Sequence, residues 1–145
     1  MKTSLRFFLL LTVLTGILLT ACEPVEDDTT SDDPRDQFVG VWQFAESGLI
    51  KSTDGQSYIV TISKDAGNSS QVILENFGNP GLQDVIVTGT VTTNQIVVST
   101  QNLSNGWTVE GSGKMTNVDK SSMSWTYSII AGGNEDTYNA TANKQ

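Results

Sequence analysis

Four carboxylates sit where an acid–base pair would be sought: Glu46, Glu75, Asp84 and Glu110, each in or beside a stretch with strand character. Two facing carboxylates can hydrolyse a glycosidic bond when they stand about 5–9.5 Å apart across a cleft. Nothing in the spacing of these four sets such a pair, and solvated acids at strand ends are the norm. Serine and threonine are plentiful, but the chain contains no histidine. That removes the usual base of a Ser or Cys nucleophile and the commonest metal ligand. Lys51-Ser52 and Lys120-Ser121 leave a Ser-Lys pair formally open, in stretches that read as solvated loops. Gly111-Ser112-Gly113-Lys114 has the look of a phosphate loop without its spacing or its following helix, and reads as a bend in a strand. The lone cysteine, Cys22, allows no internal disulfide and no thiolate cage for a metal. No catalytic residue, metal site or cofactor is expected, and the protein is not expected to be an enzyme.

The remaining residues of interest are aromatic. Trp42, Phe44, Tyr58, Trp107, Trp125 and Tyr127 are the candidates for lining a ligand site or filling a core, with Phe77 and Tyr138 beside them. Filling a core is the ordinary role for rings of this size. Trp107 follows the polar stretch Asn102-Leu103-Ser104-Asn105-Gly106, which places it near an end of the core.

These rings need strands to position them. From Gln37 onward, short runs rich in Val, Ile, Thr, Tyr and Trp alternate with Gly, Asn, Asp and Ser clusters. No helical period survives, and the runs are too short for helices. The pattern predicts eight strands: Phe38–Glu46, Ser57–Ser63, Gln71–Phe77, Asp84–Val91, Gln95–Thr100, Trp107–Met115, Ser122–Ile129 and Asp136–Thr141. Tyr58, Val60 and Ile62 share a face, as do Val85, Val87 and Val91, and Met123, Trp125, Tyr127 and Ile129. The serines and threonines opposite the last set mark a half-buried antiparallel strand. Thr92-Thr93-Asn94 and Gly132-Gly133-Asn134 read as hairpin links. Short links favour an up-and-down meander, and eight such strands can close into a barrel without exposed edges. A two-sheet β-sandwich satisfies the same strand pattern.

Gly40-Val41-Trp42, on the first predicted strand, resembles the G-x-W motif of lipocalins. The resemblance implies a lipocalin-like barrel whose floor Trp42 closes, with a cavity for a small apolar ligand. In that family an arginine from the last strands covers the tryptophan. Here the only arginine after Cys22 is Arg35, and Lys144 stands in the place to substitute. The alternative is a surface module with a solid core that meets a protein or glycan partner. An empty interior would favour the first reading and a filled one the second.

The first 22 residues have a different character. Lys2 and Arg6 precede the apolar run Phe7–Leu19, which is thirteen residues long. A spanning helix needs roughly 20, so the segment reads as a secretory signal peptide. Leu19-Thr20-Ala21-Cys22 closely resembles the lipobox of bacterial lipoproteins. The resemblance implies cleavage before Cys22 and acylation of its sulfur and new amino group. One acyl chain binds a bilayer only marginally, whereas two or three hold a domain on it. The expected organisation is therefore a lipoprotein signal peptide over 1–21, a lipidated cysteine and disordered acidic tether over 22–36, and a single β domain over 37–145. The implied location is the cell envelope, anchored to the outer membrane. Glu26-Asp27-Asp28 resembles a signal for surface display in some Gram-negative bacteria, and Asp28-Thr29-Thr30 an O-glycan acceptor of the same group.

Charge restricts the partners further. The chain carries -8, and removing Lys2 and Arg6 leaves 6 basic and 16 acidic residues, or -10. Such a surface repels nucleic-acid phosphate and anionic headgroups, so no nucleic acid partner is expected. The expected partners are the membrane, through Cys22, and a small apolar ligand or a surface partner. Metabolic labelling with a fatty acid tests the anchor: Cys22→Ser should abolish incorporation, and equal label in variant and parent would contradict lipidation.

Overall fold

In a computed structural model of the chain, the described residues are 33–48, 56–81 and 85–145. The signal-like segment, Cys22, the Glu26–Asp28 and Asp28–Thr30 motifs, Lys51-Ser52 and Asp84 lie outside them. The eight strands are β1 (Gly40–Gly48), β2 (Ser57–Lys64), β3 (Gln71–Glu75), β4 (Ile86–Thr92), β5 (Gln95–Asn102), β6 (Thr108–Met115), β7 (Ser122–Ala131) and β8 (Asn134–Lys144). Each pairs antiparallel with its chain neighbour, and β1 also pairs with β8, so the meander closes into a barrel. The decisive register runs from Trp42 opposite Lys144 to Gly48 opposite Tyr138. The first strand is thereby hydrogen-bonded on both sides, as closure requires and a sandwich does not.

The expected faces hold. Trp42 and Phe44 point inward from β1, Tyr58, Val60 and Ile62 from β2, and Met123, Trp125, Tyr127 and Ile129 from β7, all buried. Gly132 and Gly133, at φ of 60° and 83°, form the two-residue turn between β7 and β8. Two consecutive left-handed residues match the twist of the flanking strands, and glycine adopts that backbone without strain.

Two expectations change. Gly111 and Gly113 were expected to mark a bend. They lie on the inward face of β6, directly opposite Tyr127 and Trp125 on β7. A Cβ on Gly113 would overlap the Trp125 ring, and one on Gly111 would overlap Tyr127. The glycines are the space that two large rings occupy. Asp33 to Asp36, expected in the tether, are held against the barrel through the contacts of Arg35 and Lys64.

These residues help to build the closed end. Odd-numbered strands run away from it and even-numbered strands return to it. Arg35 is 9% exposed there. Its guanidinium donates to the carbonyls of Asp65 (3.1 Å), Asn68 (3.0 Å) and Gln71 (3.3 Å), fixing the β2–β3 connection. Its other edge grips the Asp33 carboxylate, at 2.8 Å for the shortest contact. Lys64 bridges Asp33 (2.9 Å) and Asp36 (2.6 Å). Phe38 plugs the same end, and Trp42 donates its indole N–H to the Phe38 carbonyl at 2.7 Å. Lys144 lies over the Trp42 ring, with its ammonium 5.4 Å from the centroid. Gly40, at φ +139°, is the one residue type suited to that backbone, and a Cβ there would come 2.9 Å from the Lys144 chain.

Gly113→Ala should therefore destabilise the barrel by about 1–3 kcal/mol, because the added methyl has no space. Gly67→Ala, in the β2–β3 connection with nothing closer than 3.4 Å, serves as the control and should stay within about 0.5 kcal/mol of the parent. Urea denaturation of the two variants measures the difference.

Candidate functional site

The open end is organised around one acid. By the two-residue period, Glu46 follows Trp42 and Phe44 on the inward face of β1. It is half-buried. Tyr127, from β7, donates its hydroxyl to the Glu46 carboxylate. The Tyr58 and Tyr127 hydroxyls are 2.8 Å apart. Either hydroxyl can donate to the other. A chain of hydrogen bonds thus links Tyr58, Tyr127 and Glu46, across β2, β7 and β1. It fixes the carboxylate at the rim of the barrel.

Rings frame this chain. Tyr138, opposite Tyr127 on β8, stacks on it with centroids 5.3 Å apart and planes 20° from parallel. Phe77 meets Tyr127 at 4.8 Å. Below them, Phe44, Phe77 and Trp125 touch one another at 5.1–6.1 Å and fill the middle of the barrel. The Trp125 indole N–H is buried with no hydrogen-bond partner among the described residues. An unmet buried donor costs about 1–3 kcal/mol. The room for the Trp125 ring comes from Gly113 and the shape of the layer is apolar, so the indole is held by packing alone.

Burial pushes the Tyr58 phenol well above its ordinary range, with the Glu46 charge adding to the effect. The Tyr127 phenol is pushed higher still, first by burial and then by Tyr58 and Glu46. Tyr138 moves up as well, through burial, Asp136 and Glu46. All three phenols therefore stay protonated and remain donors across any ordinary working pH.

Of the aromatic candidates, Trp42, Phe44, Tyr58, Trp125 and Tyr127 are buried inside the barrel. Trp42 belongs to the closed end and Tyr58 and Tyr127 to the open end. Trp107 is half-buried against the core, beside the loop at the open end. The four acids are not brought together. Glu75 and Glu110 face outward, and Glu110 accepts a hydrogen bond from Thr100 at 2.5 Å. Glu46 is the correction: it is a positioned inward acid and not a solvated strand end. Its period with Trp42 and Phe44 was the available signal. Among the described residues no three metal-ligating side chains come together.

No protein-family model matches the chain, and no curated protein matches it. The chain is similar to several solved structures. A redesigned β-barrel is 12% identical at a TM-score of 0.49, over 78% of this chain and 96% of that one. EF1p2_mFAP2b, bound to DFHBI, is 12% identical at a TM-score of 0.51, over 79% and 98%. A de novo fluorescence-activating β-barrel is 15% identical at 0.46, over 78% and 98%. The fold is that of closed β-barrels.

The raised phenols set an alkaline limit. In the unfolded chain each tyrosine ionises near 10.0, while the folded barrel keeps Tyr58 and Tyr127 protonated. The unfolded state thus loses protons first, and stability is full below about pH 10 and falls as pH rises above it. Absorbance titration should show no more than the half-exposed Tyr138 ionising while the far-UV strand signal is intact, with Tyr58 and Tyr127 ionising together as that signal is lost. Ionisation of two or three tyrosines with the strand signal intact would contradict the network.

Proposed function

We propose that this is a lipid-anchored protein of the cell envelope whose barrel binds a small apolar ligand at its open end. One observation carries the reading: a carboxylate, held by a two-tyrosine hydrogen-bond chain, sits among rings at one rim, while the other end is plugged. Folding alone gains little from an inward acid, because its desolvation opposes its hydrogen bonds. A ligand site has a use for a fixed polar group among apolar walls. Eight strands enclose a space just wide enough to fill with side chains or to hold one small ligand. The DFHBI complex of the similarly folded barrel illustrates the second case. A chain without histidine and with its acids dispersed supports binding over turnover. The lipobox resemblance of Leu19-Thr20-Ala21-Cys22 supports attachment through Cys22 to the outer membrane.

The filled middle favours a second reading. The Phe44–Phe77–Trp125 layer leaves a solid core, which suits a surface module that meets a protein or glycan with its outer face. A neutral apolar dye, N-phenyl-1-naphthylamine, separates the two. Saturable fluorescence enhancement that Tyr138→Ala weakens several-fold is expected for a ligand site at the open end. No saturable signal would favour the solid-core module.

A further inference from the structure

The outer wall of the barrel is uneven where β6, β7 and β8 run together. Along β7 the outward residues Ser122, Ser124, Thr126 and Ser128 are all small and hydroxylic. Ser124 and Thr126 are exposed, as the wet face of a strand should be. Ser128 is on the same face and is only 8% exposed. Its direct cross-strand partners are Glu110 on β6 and Thr137 on β8. Glu110 and Glu135 line a groove of about 290 Å³ together with the much shorter Ser112, Thr126, Ser128 and Thr137. Ser128, the most deeply buried of these side chains, forms its floor.

Hydrogen bonds brace the edges of this groove and leave its floor free. Thr126 donates to Asn139 at 2.9 Å, and Glu110 accepts from Thr100 at 2.5 Å. The hydroxyls of Ser112, Ser128 and Thr137 bond to no described residue. For an exposed hydroxyl that is ordinary, because water serves it. Ser128 is recessed, so its hydroxyl can give and take hydrogen bonds only with what enters the groove.

From this we infer that the groove binds one neutral sugar unit of a glycan. The inference rests on the second reading above, which gives the outer wall a partner, and it adds the place and the chemistry. A sugar hydroxyl donates and accepts at once, and so do the hydroxyls of Ser112, Ser128 and Thr137. Glu110 and Glu135 accept from sugar hydroxyls through charge-assisted bonds. Ile130, opposite Glu135 and 37% exposed, offers an apolar ledge beside the groove for the C–H face of a sugar ring. The volume lies at the small end of ligand pockets, which span about 300–1,000 Å³, and suits a single unit. A sugar with its own carboxylate meets Glu110 and Glu135 as like charges and is disfavoured. A metal ion lacks ligands, since no three suitable side chains converge among the described residues.

Amide NMR spectra of the full folded protein test this, recorded during titration with the methyl glycosides of glucose, galactose, mannose and N-acetylglucosamine, and with methyl glucuronide. At least one neutral glycoside should give saturable shifts, in the millimolar range, centred on the amides of Ser112, Ser128 and Thr137. The glucuronide should bind more weakly than the glucoside. Ser128→Ala should weaken the best sugar about three- to tenfold, the loss of one hydrogen bond. Ser124→Ala, on the same face of β7 and outside the groove, should change nothing. No saturable shift with any of the four neutral glycosides overturns the inference, and so do saturable shifts centred elsewhere on the barrel. Glucuronide binding as tight as glucoside overturns the choice of a neutral sugar. Undiminished binding by a folded Ser128→Ala variant overturns the role of Ser128, and if that variant does not fold, the shift map of the parent still decides. The dye assay reads the mouth and the shift map reads the outer wall, so the failure of one is distinguishable from the failure of the other.

Discussion

Eight strands closed on themselves leave a narrow lumen, and large rings fit inside only where side chains are missing. Every other feature of this barrel depends on that limit. Trp125 and Tyr127 project from β7 into space that Gly113 and Gly111 leave open on β6. Gly89 on β4 makes similar room, since a Cβ there would overlap Ile96. Close packing of rings over glycine removes apolar surface from water, and adding a methyl to the small partner has nowhere to go. Register is thereby specified, because a one-residue slip would put each ring over a side chain or into solvent.

The same limit separates the ends. The closed end is held by polar contacts around one arginine and by an indole capped with lysine. The open end is held by a phenol chain that terminates on a carboxylate. Between them the Phe44, Phe77 and Trp125 rings form a dry layer. Polar groups deep inside are permitted where their partners are inside too, and Tyr58 and Tyr127 satisfy each other in this way.

Strand number and facing were readable because alternation is local. Tyr58-x-Val60-x-Ile62 and Met123-x-Trp125-x-Tyr127 state which side is wet without reference to anything distant. Closure was not separable from a sandwich, because it depends on β1 meeting β8, whose partners Trp42 and Lys144 stand at opposite ends of the folded chain. Glu46 was read as solvated for a related reason. Its inward register is visible, but its partner Tyr127 lies 81 residues away, and an inward acid without a known partner reads as exposed. The roles of Gly111 and Gly113 needed the β6–β7 register, which places each beneath a ring. Arg35 was assigned to the tether because Asp33 to Asp36 have a tether's composition. Its three carbonyl acceptors belong to a connection 30–36 residues further on.

The fan of bonds from Arg35 has a mechanical consequence. Any load applied through the chain before Asp33 enters the barrel at this arginine. Its guanidinium spreads a pull over three carbonyls at the β2–β3 connection and over the Asp33 carboxylate. Force therefore reaches two strands together and does not peel the start of β1 one hydrogen bond at a time. β1 itself is clamped on both flanks, so it must shear past β2 and β8 at once before it can leave. Small loads at the N-terminal side should distort the plug at the closed end and leave the rim around Glu46, on the far side of the ring layer, in its resting shape.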